Sequence, residues 1–152
     1  MMAESSYEDA WFSNSKSGYV DDVKQIIDSK KVSLDLSDHL GNTALHYAAT
    51  AGHIDVVELL IKSGANINSI NKHGDTPLHK ASGRNRFEIV KVLVKSKANI
   101  DIENVDNEKA IDLTSNQDIK TELLPEEEFE DDEDEDVKED SDYNSDEDPE
   151  DD

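Results

Sequence analysis

The sequence contains no cysteine, which removes a disulfide framework, a thiolate nucleophile and any cysteine-built metal site, and is compatible with a reducing compartment. Long apolar runs are missing as well. None approaches the roughly 20 residues that a helix needs to span a bilayer, and the N-terminal Met1-Met2-Ala3-Glu4-Ser5-Ser6 has neither the basic nor the apolar region of a secretory signal. The expectation is no membrane partner and a cytoplasmic or nuclear location. Positive charge is scarce: 15 Lys/Arg stand against 38 Asp/Glu, for a net charge of −23.

Motifs that carry chemistry are absent too. There is no His-Glu-x-x-His, no zinc-type histidine spacing, no glycine-rich phosphate loop, no Asp-x-Asp-x-Asp-Gly calcium loop and no nucleophile elbow. The reading is therefore no enzyme, no catalytic residue, no cofactor and no metal.

What the chain does have is a repeat. Gly41-Asn42-Thr43-Ala44-Leu45-His46-Tyr47-Ala48-Ala49 returns 33 residues later as Gly74-Asp75-Thr76-Pro77-Leu78-His79-Lys80-Ala81-Ser82. A period of this length signals stacked supersecondary units, because each unit is too small to bury its own apolar face. Each phrase is followed by an apolar stripe at helical spacing, Val56, Val57, Leu59 and Leu60 in the second unit. In the first unit, Val23, Ile26 and Ile27 answer that stripe, and Trp11 falls where Leu45 sits. In the fourth, Ile111 answers Leu78, Lys109 replaces the threonine and Asp112 the histidine. Asn85 and Lys97 stand where the second unit has Gly52 and Gly64, positions that favour a left-handed backbone.

The Thr-x-Leu-His-x-Ala phrase at this period resembles the ankyrin-repeat family. The resemblance implies an all-α repeat fold, a solenoid of helix-turn-helix units with β-turn tips, over residues 9–124. Its units would run 9–37, 38–70, 71–103 and 104–124, with residues 1–8 a flexible N-terminus and the outer two units acting as caps. It also implies that the Thr/His pairs tie turn to helix, and that a protein partner docks on the turn tips and inner helix faces. Carried over by the 33-residue frame, those positions are His39, Leu40, Asn42, Tyr47, Thr50 and Ala51; then Lys72, His73, Asp75, Lys80, Gly83 and Arg84; then Val105, Asp106 and Glu108. Lys72, His73, Lys80, Arg84 and Arg86 would form a basic patch in an otherwise acidic chain.

The last 28 residues are a different polymer. They carry 19 of the 38 acidic residues and a single lysine, Lys138, which leaves a tail of about −18 and a body of about −5. A run that repels itself and has little to bury predicts a disordered acidic tail over residues 125–152. Its sign excludes direct nucleic-acid binding and suits a strongly basic partner. Ser145-Asp146-Glu147-Asp148 resembles an acidophilic kinase site, so Ser145 is a candidate phosphorylation site.

The function expected from these readings is a monomeric, non-catalytic adaptor that binds another protein through the groove of the stack. The layout of repeats and acidic tail is also similar to that of small fungal ankyrin chaperones of ribosomal proteins, so an escort of a basic client such as a ribosomal protein or histone is the alternative. An inhibitory ankyrin protein that masks a regulatory factor is the third.

Overall fold

Seven α-helices and one 3-10 turn form two rows in the computed structural model, which describes residues 4–124. The inner row is α1 (Glu4–Ser17), α3 (Ala44–Ala51), α5 (Pro77–Gly83) and the 3-10 turn Ala110–Leu113. The outer row is α2 (Val20–Ser29), α4 (Ile54–Lys62), α6 (Phe87–Lys95) and α7 (Gln117–Glu122). Each inner element packs on the next inner one and each outer helix on the next outer one, so every unit touches mainly its neighbours. Among the described residues no strand forms, only an isolated bridge between Ser37 and Thr43.

The core repeats with the sequence. Ala44, Leu45, His46, Ala48 and Ala49 are buried on α3, and their counterparts Pro77, Leu78, His79, Ala81 and Ser82 are buried on α5. Val56, Val57 and Leu60 of α4 recur as Ile89, Val90 and Leu93 of α6. Small side chains at 48, 49 and 81 let the inner helices approach closely, while branched ones fill the space beneath the outer row. Trp11 closes the first unit, 1% exposed, as the largest buried side chain.

Helix starts follow from side-chain chemistry. Thr43 Oγ1 accepts the His46 N–H at 3.3 Å and His46 Nδ1 accepts the Thr43 N–H at 3.1 Å; Thr76 and His79 repeat this at 3.2 and 3.1 Å. Such caps satisfy backbone donors that a helix start leaves open, each for about 1 kcal/mol. Pro77 occupies the first helical position of α5, where it has no N–H to lose.

Between the rows, β-turn tips project. In each, residue 38, 71 or 104 takes a hydrogen bond from the residue three positions on: Gly41 N to Asp38 O, Gly74 N to Asn71 O and Asn107 N to Asn104 O, each 2.9 Å. Gly41 has φ +80°, and a Cβ there would meet Lys72 N at 2.8 Å, so the next tip leaves no room for a side chain. The last tip has no successor among the described residues, and Asn107 holds φ 62° in the same place.

Two expectations are corrected. Residues 4–8, read as part of a flexible N-terminus, belong to α1, which is about twice as long as α3 because helix continues where the other units have a tip. The fourth inner element is a 3-10 turn rather than an α-helix. Lys109 has no oxygen to cap it, and Asp112 Oδ2 takes the Lys109 N–H at 2.9 Å instead. The tail and Ser145 lie outside the described residues.

Candidate partner-binding groove

The tips are stitched into one ledge. Lys72 N donates to Leu40 O at 3.1 Å and Val105 N to His73 O at 2.9 Å, so each tip hangs on its predecessor by a backbone bond. Side chains repeat the pattern below: Asn71 Nδ2 donates to Asn42 Oδ1 at 2.8 Å, and Asn104 Nδ2 to Asp75 Oδ1 at 2.9 Å and to Glu108 Oε1 at 3.0 Å. The histidines close the same seam, with His46 Nε2 2.8 Å from Asp75 O and His79 Nε2 2.8 Å from Glu108 O. A carbonyl only accepts, so both rings carry their proton on Nε2, leaving Nδ1 to accept from threonine.

This ledge sorts the residues implied by the resemblance. Asn42 and Asp75 are buried and spent on neighbouring tips, and Glu108 is half-buried and bonded to Asn104. His39, Leu40, Lys72, His73, Val105 and Asp106 are exposed along the ledge, Leu40 at 52% and Val105 at 63%. Tyr47, Thr50, Ala51 and Lys80 are half-exposed on the inner helices, with Gly83 and Arg84 exposed at the end of α5. Ledge and helix faces form one open groove.

The expected basic patch is only partly available. His73 Nε2 lies 3.0 Å from Asp106 Oδ2, and Lys80 Nζ lies 3.8 Å from Asp75 Oδ2. Arg86 turns back across the repeat boundary, its Nε donating to Thr50 O at 3.1 Å over the C-terminal end of α3. His53 does the same one unit earlier, Nε2 2.9 Å from Lys16 O at the end of α1. Both place a donor on open helix carbonyls, where positive charge is favoured by the helix dipole.

Sequence reasoning missed part of the site. Phe12 of α1 meets the Tyr47 ring edge-on at 5.9 Å between centroids, and Lys16 Nζ sits 4.5 Å from the centre of that ring. The Tyr47 hydroxyl donates to Asp38 Oδ2, while Oδ1 of the same carboxylate takes the N–H groups of Leu40 and Asn42 at 3.0 Å. Burial works to raise the Asp38 carboxyl, but the Tyr47 hydroxyl and the two N–H groups outweigh it and hold the group below the usual carboxylate range. Burial and the Asp38 carboxylate push the Tyr47 hydroxyl up. The signal was present as an Asp/Asn at 38, 71 and 104, a second 33-residue series beside the Thr/His one. For Phe12 and Lys16 it was masked by the one-residue insertion near Lys30-Lys31.

The remaining hollows are shallow and differ in kind. One of about 330 Å³ lies between α1 and the first tip, beside Asp9, Phe12, Lys16 and Asp38. Others, between α4 and α6 and between α6 and α7, are lined by aliphatic side chains together with lysines and the carboxylates Asp55, Glu58 and Glu122. Among the described residues no group of three or more histidines or carboxylates is placed to hold a metal, and no helix is long and apolar enough to cross a membrane.

Comparison with known proteins agrees with this geometry. The family model for ankyrin repeats in three copies matches residues 12–106. The palmitoyltransferase akr1 of Schizosaccharomyces pombe is 40% identical over 53 residues, which is 35% of this chain and 8% of that protein. Inversin of Danio rerio is 36% identical over 55 residues, 36% of this chain and 5% of the relative. The chain thus spans less than a tenth of the length of either. The repeats make the chain a protein–protein interaction module, and on the match over residues 12–106 the chain belongs to the ankyrin-repeat family.

Proposed function

We propose that the protein is a non-catalytic adaptor that holds one protein partner in the groove formed by the tip ledge and the inner helices. The observation that carries this reading is the division of labour along the ledge. Asn42, Asp75 and the two histidines are consumed in holding it, while Leu40 and Val105 stand exposed at the first and third tips, with Tyr47 half-exposed on α3. Apolar and aromatic groups on a preformed surface supply affinity with little ordering cost.

Capture of partners from cells by the full chain and by a Leu40→Asp/Tyr47→Ala/Val105→Asp variant tests it. A stoichiometric partner should fall at least about tenfold with the variant, as expected when central contacts are lost. Equal recovery would rule out the groove.

A second reading is supported by the charge partition: an escort for a basic client, in which residues 125–152 with their 19 carboxylates supply much of the attraction. In the same experiment, clients of this kind would be retained by the groove variant, lost on removal of residues 125–152, and released by salt. A cytoplasmic or nuclear location and a monomeric state belong to the same proposal.

A further inference from the structure

The outer and inner rows differ in charge in a way that the net value hides. Every long outer helix opens with a carboxylate, Asp21 and Asp22 on α2, Asp55 on α4 and Glu88 on α6. The inner helices α3 and α5 contain none. Residues 76–87 hold Lys80, Arg84 and Arg86 without a single Asp or Glu, in a chain of net charge −23.

These cations lie on one path. Lys16 is exposed and stacked over Tyr47. Tyr47 and Lys80 occupy equivalent positions, 33 residues apart, on helices packed side by side. Arg84 follows Lys80 by four residues, just past the end of α5, and is exposed, and Arg86 reaches from the next loop to the end of α3. The carboxylates that border the path are mostly committed: Asp38 to Tyr47, Leu40 and Asn42, and Asp75 through Oδ1 to Asn104 and through Oδ2 to Lys80 itself at 3.8 Å, leaving Asp9 beside Lys16.

Accepting that the groove is the binding surface, we infer that its resting occupant is the protein's own acidic C-terminal segment, residues 125–152, held along Lys16, Tyr47, Lys80 and Arg84. Three observations select this occupant. The path collects the cations Lys16, Lys80 and Arg84 around helices α3 and α5, which carry no carboxylate, and the segment carries 19 acidic residues against one lysine. The described chain ends at Leu124, and 28 further residues span up to about 90 Å when extended, against a stack of four units at roughly 10 Å each. Tethering gives the segment an effective concentration of about millimolar, well above that of a free acidic partner. The contact is electrostatic and weak, so a partner with better groove contacts displaces it, and a basic client that takes the segment frees the groove.

The absence of cysteine makes the test direct. In the full chain, Ser141→Cys provides a single attachment point for a nitroxide label, and amide signals are followed by NMR. At about 0.02 M salt the amides of Thr50, Lys80, Gly83 and Arg84 should lose at least half their intensity, and should regain it at about 0.5 M. Lys80→Glu/Arg84→Glu should abolish the loss, whereas Lys62→Glu/Lys95→Glu on the outer row should leave it in place. Equal broadening of inner and outer amides, no dependence on salt, or persistence in Lys80→Glu/Arg84→Glu would overturn the inference. Because no partner enters the measurement, such a failure leaves the adaptor reading standing. If the double variant fails to fold, the salt response of the labelled parent sequence alone decides.

Discussion

Lys97 holds φ 74° where the preceding unit has Gly64 at φ +103°, and Asn85 holds φ 58° where it has Gly52 at +88°. A lysine Cβ in the left-handed region costs about 1–2 kcal/mol, while asparagine tolerates it better. Part of the gain from restoring glycine is offset by the freedom glycine regains in the unfolded chain. Lys97→Gly should therefore raise stability by about 0.5–1 kcal/mol, read as a shift of the urea midpoint at constant slope. Asn85 also accepts the Thr114 hydroxyl at 2.6 Å, a bond glycine would lose, so its replacement is expected to be neutral at best. A loss of stability in Lys97→Gly would mean that the lysine is favoured by a contact other than its backbone.

At the scale of the element, the histidine of α3 is a fastener whose state depends on pH. Burial is the largest influence on His46 and lowers its proton affinity, the Asp75 carbonyl acting in the opposite direction without reversing it. The geometry gives the same answer, since Nδ1 already receives the Thr43 N–H and has no room for a proton of its own. With the folded value below the ordinary one of about 6.5, the unfolded chain takes up the proton first, so stability is fully present above that pH and declines as pH falls below it. Urea unfolding at about pH 7.5 and 5.5 should show this decline, and His46→Gln should be weaker at the higher pH but flatter across the interval. A parent chain equally stable at both values would contradict it.

What could be read in advance follows from which contacts obey the period. The helices of the second and third units, their Thr/His caps and the buried stripes are set by residues within one phrase, so the 33-residue frame places them. The reach of Arg86 to Thr50 and of His53 to Lys16 crosses a unit boundary at separations of 36 and 37, which no single phrase encodes. For that reason Arg86 looked like free surface charge. The long α1 and the short fourth inner turn lie at the ends, where the packing partner on one side is missing and sequence drifts from the repeat. The groove was legible as a place, but its first-unit contribution, Phe12 and Lys16, required knowing how α1 sits against α3.

At the scale of the molecule, the two rows share one continuous core from Trp11 to Leu123, and no unit is separated from the next by a polar layer. In a stack of this kind stability is a sum of unit and interface contributions, and so few units leave little room for partial unfolding when each interface is apolar. Trp11 is the single tryptophan, buried at the first unit, and its Nε1 is the one buried side-chain polar atom without a hydrogen bond among the described residues. Its emission therefore reports apolar burial at one end alone, while helical circular dichroism reports all units. Thr76→Ala, placed two units away, removes the cap of α5 and should cost about 1 kcal/mol. The tryptophan and circular dichroism transitions should then move together to lower urea and remain superimposed. Separation of the two curves, with Trp11 unfolding at its original midpoint, would show that the end units uncouple and that the groove is built on a stack able to open from its C-terminal side.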